Sequence, residues 1–155
     1  MAHTNHLHAK DAFPKASLDR IAEAITEAEK STSAEIRVSI HDERDTSEAD
    51  KPVADVAKSE FAKLGMHKLP NHNGILLLIL YSERKFYIYA DGAIHSNVHS
   101  EAWTDVAQTL GGHFKEGHYE EGVTNAIKKM AHHLKHSMPE NGAKHSAATN
   151  EVTIH

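Results

Sequence analysis

The chain has 155 residues, a formal net charge of −5 with histidines neutral, and no cysteine. That length suffices for one domain with its own core, and the lack of thiols excludes both a disulfide framework and thiolate chemistry. The acidic balance gives no footprint for a phosphate backbone, so no nucleic-acid partner is expected, and no apolar run approaches the roughly 20 residues of a membrane span.

Residues 1–13 are polar, with His6 and His8 among them, and contain no apolar segment of the kind a secretory signal needs. They are expected to form a mobile lead closed by Pro14, on a chain expected to be cytoplasmic. Leu18, Ile21, Ile25 and Ala28 then recur at helical spacing, so a helix is predicted from Ser17, its N-cap, to Lys30. Ile36, Val38 and Ile40 alternate with Glu35, Arg37 and Ser39, the period of a strand with one better-buried face. An acidic loop follows, with Asp42, Glu43, Asp45, Glu48 and Asp50. It lacks the alternating ligands and central glycine of an EF-hand, and is expected to be a solvated loop leading into a helix. That second helix carries Val53, Val56, Ala57, Phe61 and Leu64 on one stripe and ends near Gly65.

The stretch from Asn73 to Asp91 is the organising element. Ile75 to Leu80 is apolar without interruption, as in a central strand covered on both faces. After the polar Ser82-Glu83-Arg84 turn, Phe86 to Ala90 forms a second strand that stops at Asp91-Gly92. A polar connection with His95, Asn97 and His99 leads to a third helix capped by Ser100, on which Trp103, Val106, Ala107 and Leu110 line one side and Trp103 is expected to be buried. Gly111-Gly112 should weaken its last turn. A fourth helix is predicted from about Tyr119 to His136. From residue 137 to 155 periodicity is lost, which predicts a disordered tail; Val152 to Ile154 could join a sheet edge, but terminal segments are usually loose.

The order α-β-α-β-β-α-α over residues 14–136 predicts an α/β fold, a three-layer α/β/α sandwich with a mixed sheet. The first two strands should be parallel through a right-handed crossover and the third antiparallel. The starts of strands one and two and the end of strand three then share one edge. This topology gathers Glu35, His72, Asn73, Asp91 and His95. Two carboxylates and an amide oxygen (Glu35, Asp91, Asn73) are hard donors suited to Ca²⁺ or Mg²⁺, with His72 and His95 as the acid–base candidates of a metal-assisted reaction. Taken singly, Glu35 is also a solvated strand residue and Asp91-Gly92 a turn dipeptide. No Walker loop, GxGxxG or GxSxG is present. Fifteen histidines are spread along the chain. His132 and His136 share a helix face, without the glutamate of an HExxH motif, so they predict an exposed pair rather than a zinc site.

Thr32-Ser33-Ala34-Glu35-Ile36, Asn73-Gly74-Ile75-Leu76-Leu77-Leu78, Arg84-Lys85 with Ile88 before Asp91-Gly92, and Phe114-Lys115-Glu116-Gly117-His118-Tyr119 with Gly122 occur in order. Over about residues 15–136 the chain resembles the TPM domain, the family of thylakoid acid phosphatase-like proteins, a photosystem repair protein and an acetylcholine-receptor modulator. The resemblance implies an α/β/α sandwich with an acidic pocket for a divalent cation, commonly calcium. Some members are credited with phosphatase or nucleotide hydrolysis; others act in assembly or repair. Relatives usually carry Asp before the Asn-Gly, where this chain has His72, removing one carboxylate from the implied site. Many also have a signal peptide and a membrane helix, so this chain resembles a short cytosolic branch. Two functions follow: a metal-responsive assembly, repair or interaction factor with a protein partner, or a Ca²⁺/Mg²⁺-dependent hydrolase of a phosphoester or nucleotide.

Overall fold

A computed structural model of the protein describes residues 8–140, 150 and 152–155. The sheet has three strands in the order β1 (Glu35–His41), β2 (Gly74–Leu80) and β3 (Lys85–Ala90), with β2 central. β1 pairs parallel with β2 from Glu35 opposite Gly74, and β3 returns antiparallel with Ile75 opposite Ala90. All seven residues of β2 are buried, as its unbroken apolar sequence requires.

Strand parity sorts the two faces. Ile36, Val38, Ile40, Ile75, Leu77 and Ile79 pack against α2 (Lys15–Glu29), α5 (Ser100–Lys115) and α6 (Tyr119–Ser137). These helices contribute Ile21 and Ile25, Val106 and Leu110, and Ile127, Met130 and Leu134. Each such side chain, fully removed from water, stabilises the fold by about 1.5–3 kcal/mol. Leu76, Leu78 and Leu80 face the other way, toward α3 (Val53–Lys63) with Val56, Ala57 and Phe61. The α/β/α layering is therefore unequal, three long helices on one face and one on the other.

Several local expectations are revised. Ser17 does not cap α2, which starts at Lys15 after Pro14; its hydroxyl instead donates to Glu120 Oε1 at 2.7 Å, tying α2 to α6. The lead is packed in its second half: α1 (Ala9–Ala12) precedes a buried Phe13, and Ala9 is also buried. Residues 1–7, with His6, lie outside the described residues. The connection after Asp91 contains a further helix, α4 (Gly92–Asn97), whose Ile94 is buried. α5 runs through Gly111-Gly112 to Lys115, held by Phe114 edge-on to Phe86 at 6.0 Å. Trp103 is only half-buried, against β3.

The tail is ordered at both of its described ends. Met138 O accepts from Ser33 N at 3.0 Å and Pro139 pairs with Thr32. Further on, Val152 is buried and Ile154 pairs in parallel with Ile40, with His155 N donating to Ile40 O at 2.8 Å. The outer edge of β1 is thus covered at its Ile40 end, and the approach to its start is held by Met138 and Pro139. Two apolar β-branched residues with an unpaired edge within reach outweigh the looseness usual for a terminus. Residues 141–149 lie outside the described residues.

Candidate functional site

At the edge where β1 and β2 begin, Asn73 is buried. Its Nδ2 donates to Ser33 O at 2.6 Å. A carbonyl acceptor demands the nitrogen, so Oδ1 is the atom left over, buried and without a hydrogen-bond partner. Asp91 stands beside it, since its backbone N–H donates to Gly74 O at 3.0 Å. One carboxylate oxygen, Oδ1, caps α4 through Gly92 N at 2.8 Å. The other, Oδ2, is buried with no hydrogen bond; His72 Nδ1 approaches to 3.4 Å, within ion-pairing range but poorly aimed for a hydrogen bond. Each of these buried oxygens, lacking a hydrogen bond, is costly unless a cation or donor reaches it.

His72 is brought to this edge by its backbone. Its φ of 49° is left-handed, a region His visits more often than most side chains, and its carbonyl accepts from Ala93 N at 3.0 Å. Glu35 is at the same edge but one strand away, across Gly74, with its N–H donating to Asn73 O at 2.9 Å. A Cβ on Gly74 would lie 3.1–3.2 Å from Leu69, Met66 and Phe61, so apolar side chains fill the space over that glycine between Glu35 and Asp91. His95, on α4, lines a groove with Trp103 and Tyr89. The fold pairs His72 with Asp91 and puts Asn73 at the same strand end, with Glu35 one strand away and His95 within α4. No three carboxylate or imidazole groups of this set have ligand atoms within 4.8 Å of one another.

The opposite edge is built differently. Glu60 of α3 is buried against β1, where Oε2 accepts from Ser39 Oγ at 2.5 Å and sits 2.9 Å from His41 Nε2. Burial would raise its pKa, but the hydrogen bonds from His41 and Ser39 win and hold it at about 2. Ser39 and His41 meet the same carboxylate oxygen rather than each other, and Ser39 is buried, so the trio lacks the relay of a nucleophile activated by its base. The acidic loop is also bound internally. Arg44 grips Glu83 through Nε and Nη2, both at 2.8 Å, and donates to the carbonyls of Glu48 and Lys51. The guanidinium's hydrogen bond holds the Glu83 carboxyl below its ordinary range. Glu48 is buried with Lys51 and Lys63 ammonium groups each 4.0 Å away. Glu60 was legible in principle, because it falls on the apolar stripe of Val56, Ala57 and Phe61 where a carboxylate must find a partner.

A family model described as the TPM domain matches residues 8–133. The chain belongs to the TPM domain family. No curated protein matches it. Among solved structures it is similar to the BA42 protein of the psychrophilic bacterium Bizionia argentinensis, at 24% identity and TM-score 0.79 over 100% of both chains. It is also similar to the N-terminal domain of a protein from P. gingivalis, at 17% identity and TM-score 0.64, over 81% of this chain and 79% of that one. These likenesses are in fold.

Two TPM landmarks far apart in sequence meet at a further place. Arg84 and Lys85 from the β2–β3 turn, with Phe114, Lys115 and Tyr119 from the α5–α6 corner, line a cleft of about 390 Å³ floored by Ile79 and Phe86. Arg84 lies over the Tyr81 ring at 4.3 Å from its centre. A cationic rim on an apolar floor suits an amphipathic anion. The cleft is beyond the C-terminal end of β2, whereas Asn73 precedes its N-terminal end. Seven residues at about 3.3 Å each separate the two places by roughly 20 Å. Among the described residues no helix is long and apolar enough to cross a membrane.

Proposed function

We propose that this TPM domain binds Ca²⁺ or Mg²⁺ at the sheet edge and acts as a metal-responsive assembly, repair or interaction factor. The observation that carries the reading is that two buried oxygens, Asn73 Oδ1 and Asp91 Oδ2, make no hydrogen bond. Hard oxygen donors and a carboxylate fit such an ion, and Glu35 adds negative charge at the same edge. The donor set is small, which favours an ion that keeps much of its water, as Mg²⁺ does. A bound cation would supply charge neutralisation there. Asn73 and Asp91 would orient it from two strand ends, so its loading is felt by the Ser33 loop and by α4, the surfaces offered to a protein partner.

The second reading, hydrolysis of a phosphoester or nucleotide with His72 or His95 moving the proton, has the cationic cleft in its favour. Arg84, Lys85 and Lys115 would suit a phosphoryl group. The ~20 Å between that cleft and Asn73 weighs against one centre holding both metal and anion, and His72 and His95 are not gathered around a common point. The interaction reading is therefore preferred.

Amide spectra recorded during titration with Ca²⁺ or Mg²⁺ test it. Signals from residues 33–36, 71–74 and 91–96 should move together while residues 42–50 stay still, and Asp91→Asn with Glu35→Gln should abolish the response. No turnover of p-nitrophenyl phosphate or ATP is expected with either ion. Shifts centred on residues 42–50, or unchanged binding by the double variant, would refute the site; metal-dependent turnover lost with His72→Gln would transfer the preference to the hydrolase.

A further inference from the structure

We propose a separate site for a borderline transition-metal cation, Zn²⁺ foremost, at the corner between α5 and α6, with His113, His118 and Glu121 as ligands. It is independent of the sheet-edge reading, sharing none of its residues. Ligand atoms of these three lie within 4.8 Å of one another, and among the described residues no other three His, Asp or Glu do so.

The backbone creates the cluster. α5 ends in a Schellman turn: Gly117 takes a left-handed φ of 78°, Gly117 N donates to Phe114 O at 3.1 Å, and His118 N donates to His113 O at 2.9 Å. This turn places the two residues joined by its outer hydrogen bond, His113 and His118, side by side. Those positions usually make an apolar contact; here both are histidines, with ring centres 6.2 Å apart. Glu121 joins from the first turn of α6, three residues beyond His118. α6 can come this close because Gly122 has no side chain: a Cβ there would lie 3.0 Å from His113 Cβ.

The surroundings suit an ion. Asn125 Nδ2 sits 3.2 Å from His113 Nε2; with the amide turned over, its oxygen would accept from Nε2–H, the outer hydrogen bond that orients a metal-binding imidazole and leaves Nδ1 for the ion. Glu116 Oε2, 3.6 Å from His118 Nδ1, is within reach as a fourth donor. Lys128 and Lys129 line the adjoining groove, but Lys129 is held by Asp105 at 2.8 Å. Exposed His118 and Glu121 can rotate to the ~3.4 Å donor spacing that bond lengths near 2.0–2.2 Å impose in a tetrahedron. Imidazole donors select Zn²⁺, Ni²⁺ or Cu²⁺ over Ca²⁺ and Mg²⁺. By contrast, His132 and His136, with ring centres 5.8 Å apart, belong to no such trio. Loaded, the corner would join the end of α5 to the start of α6 beside the Phe114–Tyr119 contact at 5.2 Å.

The test titrates Zn²⁺ alone into the full chain while imidazole ¹H–¹⁵N signals are followed. The His113 and His118 rings should shift together, and saturate before those of His132 and His136. His118→Gln with Glu121→Gln should weaken binding at this corner by more than about tenfold, while His132→Gln with His136→Gln leaves it unchanged. A gain-of-signal variant guards against a folding defect: His118→Cys, the chain's sole thiol, should give a thiolate-to-metal charge-transfer band with Co²⁺. Still rings at His113 and His118 while other histidines saturate, undiminished binding by the double variant, or no band from the cysteine variant would each overturn the proposal.

Discussion

The two ends of the sheet hold similar acidic residues under opposite conditions. At the end near His41, Glu60 takes hydrogen bonds from Ser39 and His41, Glu83 is gripped by Arg44, and Glu48 lies between two lysines. At the other end, Asn73 Oδ1 and Asp91 Oδ2 are buried without a hydrogen bond, with the His72 imidazole 3.4 Å from Oδ2. The first end has more carboxylates but has internal partners for them. Glu48 Oε2 also lacks a hydrogen bond, but the ammonium groups of Lys51 and Lys63 stand by its carboxylate, so the two ends differ in the cationic side chains at hand rather than in the number of acidic residues.

The sharpest way to break this contrast is to remove a carboxylate from each end. Glu60→Ala should cost about 3 kcal/mol in urea unfolding, because it strands Ser39 and His41 beside α3. The acid limb should carry the same signature. Glu60 titrates at about 2 when folded against an ordinary value of 4.5, so its contribution is fully present above about pH 4.5 and is lost as pH falls toward about 2. Melting curves of Glu60→Ala should lack that acid-dependent component. A variant as stable as the parent would mean that the cluster is not a structural brace.

Truncation before Asn150 should have the next largest effect. Loss of the buried Val152 and its neighbours should cost about 2 kcal/mol and lower the melting temperature by several degrees. An unchanged melting temperature would restore the disordered tail that composition suggests. The smallest effect belongs to Asp91→Asn with Glu35→Gln, expected within about 0.5 kcal/mol of the parent in the absence of metal. Asn caps a helix as well as Asp, and no internal ion pair is broken at Asp91 beyond the loose approach of His72. A loss near that of Glu60→Ala would erase the distinction between the two ends.

The layered fold was legible because its signals are periodic and local. β2 is apolar at every position, β1 alternates, and the short Ser82–Arg84 turn forces β3 to return antiparallel. What was hidden depends on contacts across the chain. α4 is six residues long with one buried side chain, too little for a stripe. Val152 and Ile154 become ordered only because β1 has an edge to offer. The gathering of strand ends was deducible from topology, but not that Phe61, Met66 and Leu69 fill the space over Gly74. The nearness of His113 and His118 was coded by Gly117, since a left-handed residue after a helix reverses the chain within one turn.

The covered edge of β1 has a consequence for how copies of this protein meet. With residues 152–155 laid along Ile40 and Asp42, and Met138 and Pro139 beside Thr32 and Ser33, both ends of the β1 edge are closed to another chain. Displacing the last residues would uncover a row of donors and acceptors next to the most apolar strand of the fold, the arrangement that templates edge-to-edge aggregation. The final residues therefore act as a guard on colloidal behaviour as well as a brace. A shortened chain should first betray itself by light scattering at high concentration, below the temperature at which it unfolds.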